Sequence, residues 1–312
     1  MHRSSLRGLG QKATRTSSAS PFLPSTFFLL TYLLCLPAYC LLRIYQWDEA
    51  LKLATFIIPC LLCAFAIAHA IERMGLKWAA LFFATGALIS LGAEALGTAT
   101  GLLFGHYTYT EQMGGKLFGL VPWLIPIAWC GMLYLSWHTV TFLLQQKGGR
   151  GNGAWETVPN ALNSSERLPI RPSPFPLISL SALAITAWDL SLDPRMVQDG
   201  NWIWHDGGPY FGIPISNFIG WLVTAACIYA VWAWLEHRRS RTTHASHVAG
   251  ASWHALLPIV AYMLVWLGES VANVLFWAGP LVGLCVFVGM GVFAVPALVR
   301  LIKLKRADTL TE

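Results

Sequence analysis

Residues 280–299 read PLVGLCVFVGMGVFAVPALV and contain no charged side chain. A helix that crosses the hydrocarbon core of a bilayer needs about 20 mostly apolar residues. Comparable apolar runs precede this one at 22–42, 53–71, 78–103, 117–144, 174–190, 213–235 and 253–276. The sequence therefore predicts an all-α fold, a polytopic transmembrane bundle of about eight helices.

The composition supports a membrane protein. Charged residues make up 12% of the chain and apolar residues 55%, whereas a soluble domain carries roughly 25% charged residues. The net charge of +6 does not indicate a nucleic-acid partner, because the basic residues lie at the edges of the apolar runs. That placement is typical of proteins oriented in a membrane.

The basic residues also predict the orientation. If the N-terminus is cytoplasmic, 17 of the 21 Lys and Arg residues fall on the inner side of an eight-helix arrangement. Positively charged loops favour the cytoplasmic side. We therefore expect a multi-pass protein of the cell membrane with both termini in the cytoplasm.

The chain is predicted to hold one transmembrane domain, 22–304, between two tails. Residues 1–21 are basic, rich in Ser and free of acids, a composition shared by transit peptides and by disordered cytoplasmic tails; we favour the tail. Residues 305–312 form a short second tail. An inside linker at about 145–173, rich in Gly, Asn, Ser and Pro, divides the domain into two four-helix halves.

No residue pattern indicates a metal or a cofactor. All seven cysteines lie inside apolar runs, and a packing role is expected even for the pair Cys60-x-x-Cys63. His69 and His138 are interpreted as isolated packing residues. The sequence contains no phosphate-binding loop, dinucleotide fingerprint or zinc-protease motif.

Acidic residues inside the apolar runs are the first candidates for function, because such residues are costly in a membrane. Glu94, Asp189 and Glu269 lie toward the C-terminal ends of the third, fifth and seventh runs, and Asp193 follows just beyond the fifth run. These three runs point in the same direction, so the acids should share a layer within about 10 Å of the outer boundary. Alternatively, each acid reaches the surface or pairs with a cation such as Arg195.

Two aromatic segments follow the third and fifth runs. Residues 104–110 read FGHYTYT, and residues 193–217 contain WIWH and GPYFGIPISN. An interfacial aromatic belt would explain the rings, but not His106, Asp193 or the many glycines. We therefore predict a pocket with acids at its floor and aromatic rings on its walls.

Such a pocket suits carbocation chemistry. A carboxylic acid that is buried away from water can hold a proton at neutral pH. Aromatic faces attract a neighbouring cation, and an ionised carboxylate can orient a water molecule. The site could therefore protonate an alkene and add water to the resulting cation.

The same segments resemble a known family. The stretches are EALGTATG at 94–101, FGHYTYT at 104–110, LFGLVPW at 117–123, AWDLSLDP at 187–194 and GPYFGIPISNFIGW at 208–221. In sequence and order they resemble the CruF-type carotenoid 1′,2′-hydratases, which are membrane proteins of carotenoid biosynthesis. The resemblance implies cofactor-free hydration of an acyclic carotenoid end, as in lycopene, γ-carotene or a bacterioruberin precursor, to a 1′-hydroxy carotenoid.

The predicted site comprises acids and a substrate-binding wall. The catalytic candidates are Glu94, Asp189, Asp193, Glu269 and His106, with Asp189 or Glu94 as proton donor and Asp193 or His106 orienting the water. The substrate-binding candidates are Tyr107, Tyr109, Trp188, Trp202, Trp204, Tyr210, Phe211 and Asn217. The expected partners are a carotenoid dissolved in the bilayer and the bilayer itself, and association with other carotenoid enzymes is compatible with this interpretation.

Two alternatives remain open at this point. A prenyltransferase of the UbiA type could hold a magnesium diphosphate at Asp189-x-x-x-Asp193, but its second Asp-rich motif is missing. A proton-coupled transporter also needs intramembrane acids, but the internal repeat that many transporters show is not evident.

Overall fold

The structure, a computed structural model, describes residues 23–145, 173–242 and 253–309. The predicted N-terminal tail and nearly all of the predicted linker lie outside these ranges. The helices are α1 (Pro24–Ile44), α2 (Asp48–Met74), α3 (Leu76–Thr100), α4 (Leu124–Leu144), α5 (Pro174–Gln198), α6 (Ile215–Thr242), α7 (Leu257–Leu275) and α8 (Pro280–Thr309). Within the described ranges, eight helices are long and apolar enough to cross a membrane, which confirms the predicted fold class.

Short strands and two 3-10 turns complete the described structure. The strands are β1 (Tyr107–Tyr109), β2 (Lys116–Leu117), β3 (Val121–Pro122) and β4 (Trp202–Trp204), and the 3-10 turns are Glu111–Met113 and Trp253–Leu256. We call the end of the bundle that carries the segments 101–123 and 199–214 the loop end. The opposite end, where α2 leads into α3, is called the basic end.

Two of the predicted helix boundaries were wrong, and both affect the position of residues in the site. The fourth run was expected to start at 117, but β2 and β3 form a hairpin there, and α4 begins only at Leu124. Phe118 and Gly119 have positive φ angles at the hairpin turn, which an α-helix excludes. The fifth helix, by contrast, extends to Gln198, so Asp193 lies inside α5 and not beyond it.

The extension of α5 depends on Tyr210. Pro194 lies inside the helix and has no N–H group to donate to the carbonyl of Leu190, four residues earlier. The hydroxyl of Tyr210 donates to that carbonyl at 2.9 Å. Burial raises the pKa of Tyr210 above its ordinary value, so the hydroxyl keeps its proton. A loop side chain thus replaces the missing helical hydrogen bond.

Helix α4 occupies the centre of the bundle. Its side chains are buried on all sides, including Trp129, Tyr134 and Trp137, as expected for a helix that is apolar around its whole circumference. A buried tyrosine of another helix donates a hydrogen bond to the backbone of α4. Tyr229 of α6 donates to Leu133 O at 2.9 Å.

A buried polar cluster lies at the basic end. His69 Nδ1 is 2.8 Å from the hydroxyl of Tyr134, and its Nε2 is 2.9 Å from the carbonyl oxygen of His254. The His254 side chain lies 3.0 Å from a carboxylate oxygen of Glu72. His69 is therefore satisfied, as predicted, but it is not isolated, because it belongs to a network that joins α2, α4 and the 3-10 turn before α7.

At the loop end, the two aromatic segments pair with each other. Strand β1 runs antiparallel to β4, with Tyr107 opposite Trp204 and Tyr109 opposite Trp202. Side chains alternate across a strand, so Tyr107, Tyr109 and Trp202 are buried against the bundle while Ile203 is exposed. This pairing brings rings from distant parts of the sequence over the ends of α3 and α5.

The replacement of a helical hydrogen bond by Tyr210 can be tested with a double-mutant cycle. Tyr210→Phe should lower the free energy of unfolding by about 1 kcal/mol, because it leaves the Leu190 carbonyl without a donor. In a Pro194→Ala background the backbone N–H returns, and the loss should largely disappear. The measurement is the thermal stability of the purified protein in detergent. An equal loss in both backgrounds would contradict the assignment.

Candidate active site

Two aspartates one helical turn apart on α5 form the centre of the site. Asp189 is fully buried and Asp193 is 2% exposed. Asn217, in the first turn of α6, donates its amide Nδ2 to Asp189 Oδ2 at 2.7 Å and also to Asp193 Oδ2. One side-chain nitrogen therefore holds two carboxyl groups together.

This shared amide does not satisfy every oxygen of the pair. Asp189 Oδ1 is buried and has no hydrogen-bond partner among the residues that the structure describes. A buried polar atom without a partner costs free energy. The pair is thus short of donors, and a buried carboxylate oxygen without a partner makes the pair a candidate for function.

Glu94 on α3 has the opposite environment, because three donors converge on it. Its Oε2 accepts hydrogen bonds from the hydroxyls of Tyr107 at 2.6 Å and Tyr109 at 2.8 Å. Its Oε1 accepts from Trp129 Nε1 at 3.1 Å. Burial raises the pKa of Tyr107 and of Tyr109, so both hydroxyls remain protonated donors. Both oxygens of Glu94 therefore already accept hydrogen bonds.

Glu94 and Asp193 line the same cavity. Among the described residues, its wall comprises Glu94, Tyr107, Tyr109, Ile125, Ala128, Trp129, Leu192, Asp193, Trp202, Trp204, Asn217 and Trp221. We call this space the reaction cavity. Six of these side chains are Tyr or Trp, so acids and aromatic faces meet here as the sequence predicted. Asp189 is not part of the wall and lies one turn farther from the loop end.

Glu269 belongs to a different environment. Its Oε2 accepts a hydrogen bond from Ser191 Oγ at 2.6 Å, and its Oε1 lies 3.6 Å from Arg195. The prediction of one shared site for four acids is therefore wrong for Glu269. For this residue the structure shows the alternative, pairing with Arg195.

Four other predicted residues also lie outside the wall of the reaction cavity: His106, Trp188, Tyr210 and Phe211. His106 is exposed, and its Nδ1 lies 2.8 Å from Asp206 Oδ2, so it is not placed to orient a water in the cavity. Phe211 is 43% exposed, and the hydroxyl of Tyr210 is used by the backbone of α5. Of the predicted substrate-binding residues, those in the wall are Tyr107, Tyr109, Trp202, Trp204 and Asn217.

Two tryptophans of the wall were not among the predicted site residues. The rings of Trp129 and Trp221 stack with centroids 3.8 Å apart. Trp221 follows Asn217 by four residues, so both lie on the same face of α6, and this spacing could have revealed it. A buried Trp usually needs a partner for its N–H, but no sequence pattern pairs Trp129 with Glu94.

Comparisons with known proteins point to one family. A family model described as carotenoid biosynthesis protein matches residues 30–293. The bisanhydrobacterioruberin hydratase of Haloarcula japonica is 31% identical to the chain over 156 residues, which is 50% of this chain and 43% of that protein. The chain thus spans less than half the length of this curated relative. No solved structure matches the chain.

The role of the shared amide can be tested through stability. Asn217→Leu keeps the approximate size but removes both hydrogen bonds to the aspartates, so it should cost about 1–3 kcal/mol of unfolding free energy. The matched control is Asn201→Leu, since the Asn201 side-chain amide donates to the sulfur of Met196, a weak acceptor. Thermal denaturation in detergent would compare them. A control variant as unstable as Asn217→Leu would refute the assignment.

Proposed function

Because the chain belongs to the carotenoid biosynthesis protein family, we propose that it is a membrane hydratase acting on an acyclic carotenoid end. It adds water across the terminal 1′,2′ double bond of a substrate such as lycopene, γ-carotene or a bacterioruberin precursor, and gives a 1′-hydroxy carotenoid. The observation that carries this proposal is the buried Asp189–Asp193 pair, which shares one amide beside an aromatic cavity with Glu94 in its wall.

The aspartate pair is the proton donor in this proposal. Two buried carboxyl groups that contact the same nitrogen cannot both be ionised without strong mutual repulsion. The pair therefore holds one proton, which belongs to both residues together. Asp193 donates this proton to the substrate because it lines the reaction cavity. Asp189, which lies outside the wall, shares the proton with Asp193. This assignment replaces the expectation that Asp189 or Glu94 donates directly.

The cavity wall stabilises the cation. Proton transfer from Asp193 to C-2′ leaves a tertiary cation at C-1′. The faces of Trp129, Trp202 and Trp221 are apolar surfaces that attract positive charge. Glu94, which accepts three hydrogen bonds, serves as the ionised carboxylate that faces the cation. Charge that develops during the reaction is thereby met by groups already in place.

Water completes the addition. A water molecule in the cavity attacks C-1′ and forms the C–O bond, and its extra proton passes to a carboxylate of the site. That proton then returns to the aspartate pair, so one water has been added and the protonation of the site is restored. Every step uses side chains of this chain and water alone, so we propose that the reaction needs no cofactor.

The wall also weighs against the prenyltransferase alternative. Such an enzyme must hold a diphosphate, whose negative charge is normally met by metal ions, Lys or Arg. The described residues of the wall include two acids and no Lys or Arg. A diphosphate without bound metal ions would therefore meet repulsion at this site, whereas a hydrocarbon would not.

The location of the protein in a membrane fits a substrate that is dissolved in lipid. Eight apolar helices make the chain an integral membrane protein, and a carotenoid can reach it within the bilayer. We propose that it lies in the cell membrane with both termini in the cytoplasm. The reaction cavity, at the loop end, would then lie in the outer half of the bilayer, and neighbouring carotenoid enzymes could exchange substrate with it through the lipid.

The proposal predicts the behaviour of acid variants in a lycopene-producing host. The wild-type protein should convert lycopene to products heavier by one water per reacted end. Asp193→Asn, Asp189→Asn and Glu94→Gln should each lower conversion by about 10² to 10⁴-fold, the range of general acid–base catalysis. Conversion is measured by chromatography and mass analysis of the pigments, per unit of protein inserted in the membrane.

Two further variants serve as controls. Asp206→Asn changes an exposed acid outside the cavity and should retain full conversion. Glu269→Gln should be milder than the three acid variants, because Glu269 does not line the reaction cavity. Near-normal conversion by both Asp193→Asn and Asp189→Asn would refute the mechanism, and a product heavier by an isoprene unit would favour the prenyltransferase.

A further inference from the structure

A second and larger cavity lies beside the reaction cavity. It lies between α1, α2, α4, α5 and α7. Its lining extends along α1 from Tyr32 to Cys40, along α2 from Ala54 to Leu62 and along α7 from Leu264 to Ala272. Each stretch covers about 12 Å of helix. We call this space the long cavity, because it follows the helices toward the bilayer centre.

The two cavities share one lining residue, on α4. Ala128 lines both of them. Close to it, Trp188 lines the long cavity, and its ring meets the ring of Trp221, a wall residue of the reaction cavity, edge-on at 6.0 Å. A molecule that fills the long cavity would therefore contact Ala128, which also lines the reaction cavity, and Trp188, which packs against the wall residue Trp221.

The long cavity is apolar except near the loop end. Most of its lining is aliphatic or aromatic, with Tyr32, Tyr39 and Trp277 among the rings. Its polar side chains include Arg195, but that charge is already engaged by Glu269 at 3.6 Å and by the ring of Trp277 at 4.4 Å. The space thus suits a flat, uncharged hydrocarbon better than a charged lipid headgroup.

We propose that the long cavity binds the isoprenoid chain of the substrate next to its reacting end. This inference rests on the proposed function and adds the binding site that positions the substrate. The end group occupies the reaction cavity, the chain passes Ala128, and the following isoprene units lie between α1, α2 and α7. Binding in this cavity selects long, linear isoprenoids and sets how far the end group reaches toward Asp193.

Gly268 on α7 offers a direct way to fill the cavity. It lines the long cavity, and a Cβ atom added there would have no atom within 4 Å. A larger side chain at 268 would therefore enter the cavity without a clash close to the backbone. Gly92 on α3 is a matched control, because it is also helical with no atom near an added Cβ, but it is exposed on the outside of the bundle.

The experiment measures binding separately from turnover. The full-length protein is expressed in lycopene-producing cells in an Asp193→Asn background, where substrate binds but is not consumed. Carotenoid that copurifies in mild detergent is quantified by absorbance per mole of protein. Gly268→Leu should lower bound carotenoid by about tenfold, as expected when a filled apolar site is overpacked, and Gly92→Leu should leave it unchanged. With Asp193 restored, conversion should fall in parallel.

The outcomes distinguish this inference from the proposed function. If carotenoid binding depends on position 268 but the protein adds no water even with Asp193 restored, the result supports the long cavity and refutes the hydratase. Hydration that Gly268→Leu leaves intact refutes the long cavity and leaves the hydratase standing. If Gly268→Leu is not recovered as folded protein, Gly268→Ala decides, because alanine favours a helix. Gly268→Ala should reduce binding partially. Binding equal to that of the protein with Gly268 intact would overturn the inference, and so would absence of carotenoid from that protein.

Discussion

A polar group inside a bilayer must find its hydrogen-bond partners within the protein, because the hydrocarbon offers none. The acids of this chain show how far that constraint shapes the structure. Glu94 on α3 takes its donors from the β1 segment and from α4, through Tyr107, Tyr109 and Trp129. The aspartates of α5 take theirs from α6, through Asn217. Satisfying these acids thus connects four helices and draws an aromatic loop into the bundle.

The same constraint acts on the backbone of α5. Pro194 leaves the carbonyl of Leu190 without a helical donor, and Tyr210 supplies one from the following loop. That bond lets the helix continue to Gln198, which keeps Asp193 on the same helical face as Asp189. The hydrogen bond that keeps the helix regular therefore also keeps the two acids together. Tyr210 influences the site through the backbone, although the sequence suggested direct contact with substrate.

Much of this architecture could be predicted from the sequence. Long uncharged runs predict eight helices, because length and apolarity alone decide whether a helix can span a bilayer. Counting residues along the helices predicted a common depth for Glu94, Asp189 and Glu269. Counting could not predict the direction in which each acid points around its helix, because that direction depends on how the helices pack. Glu269 was therefore grouped with the other acids in the prediction, whereas the structure pairs it with Arg195 on the side of the long cavity.

Isotope labelling tests the central chemical claim most directly. When the reaction runs in heavy water, protonation by an acid that exchanges with solvent should place one non-exchangeable deuterium at C-2′ of each hydrated end. In water labelled with oxygen-18, the label should appear in the new 1′-hydroxyl group. A hydroxyl oxygen that comes from molecular oxygen, or a product without deuterium on carbon, would contradict hydration through a tertiary cation.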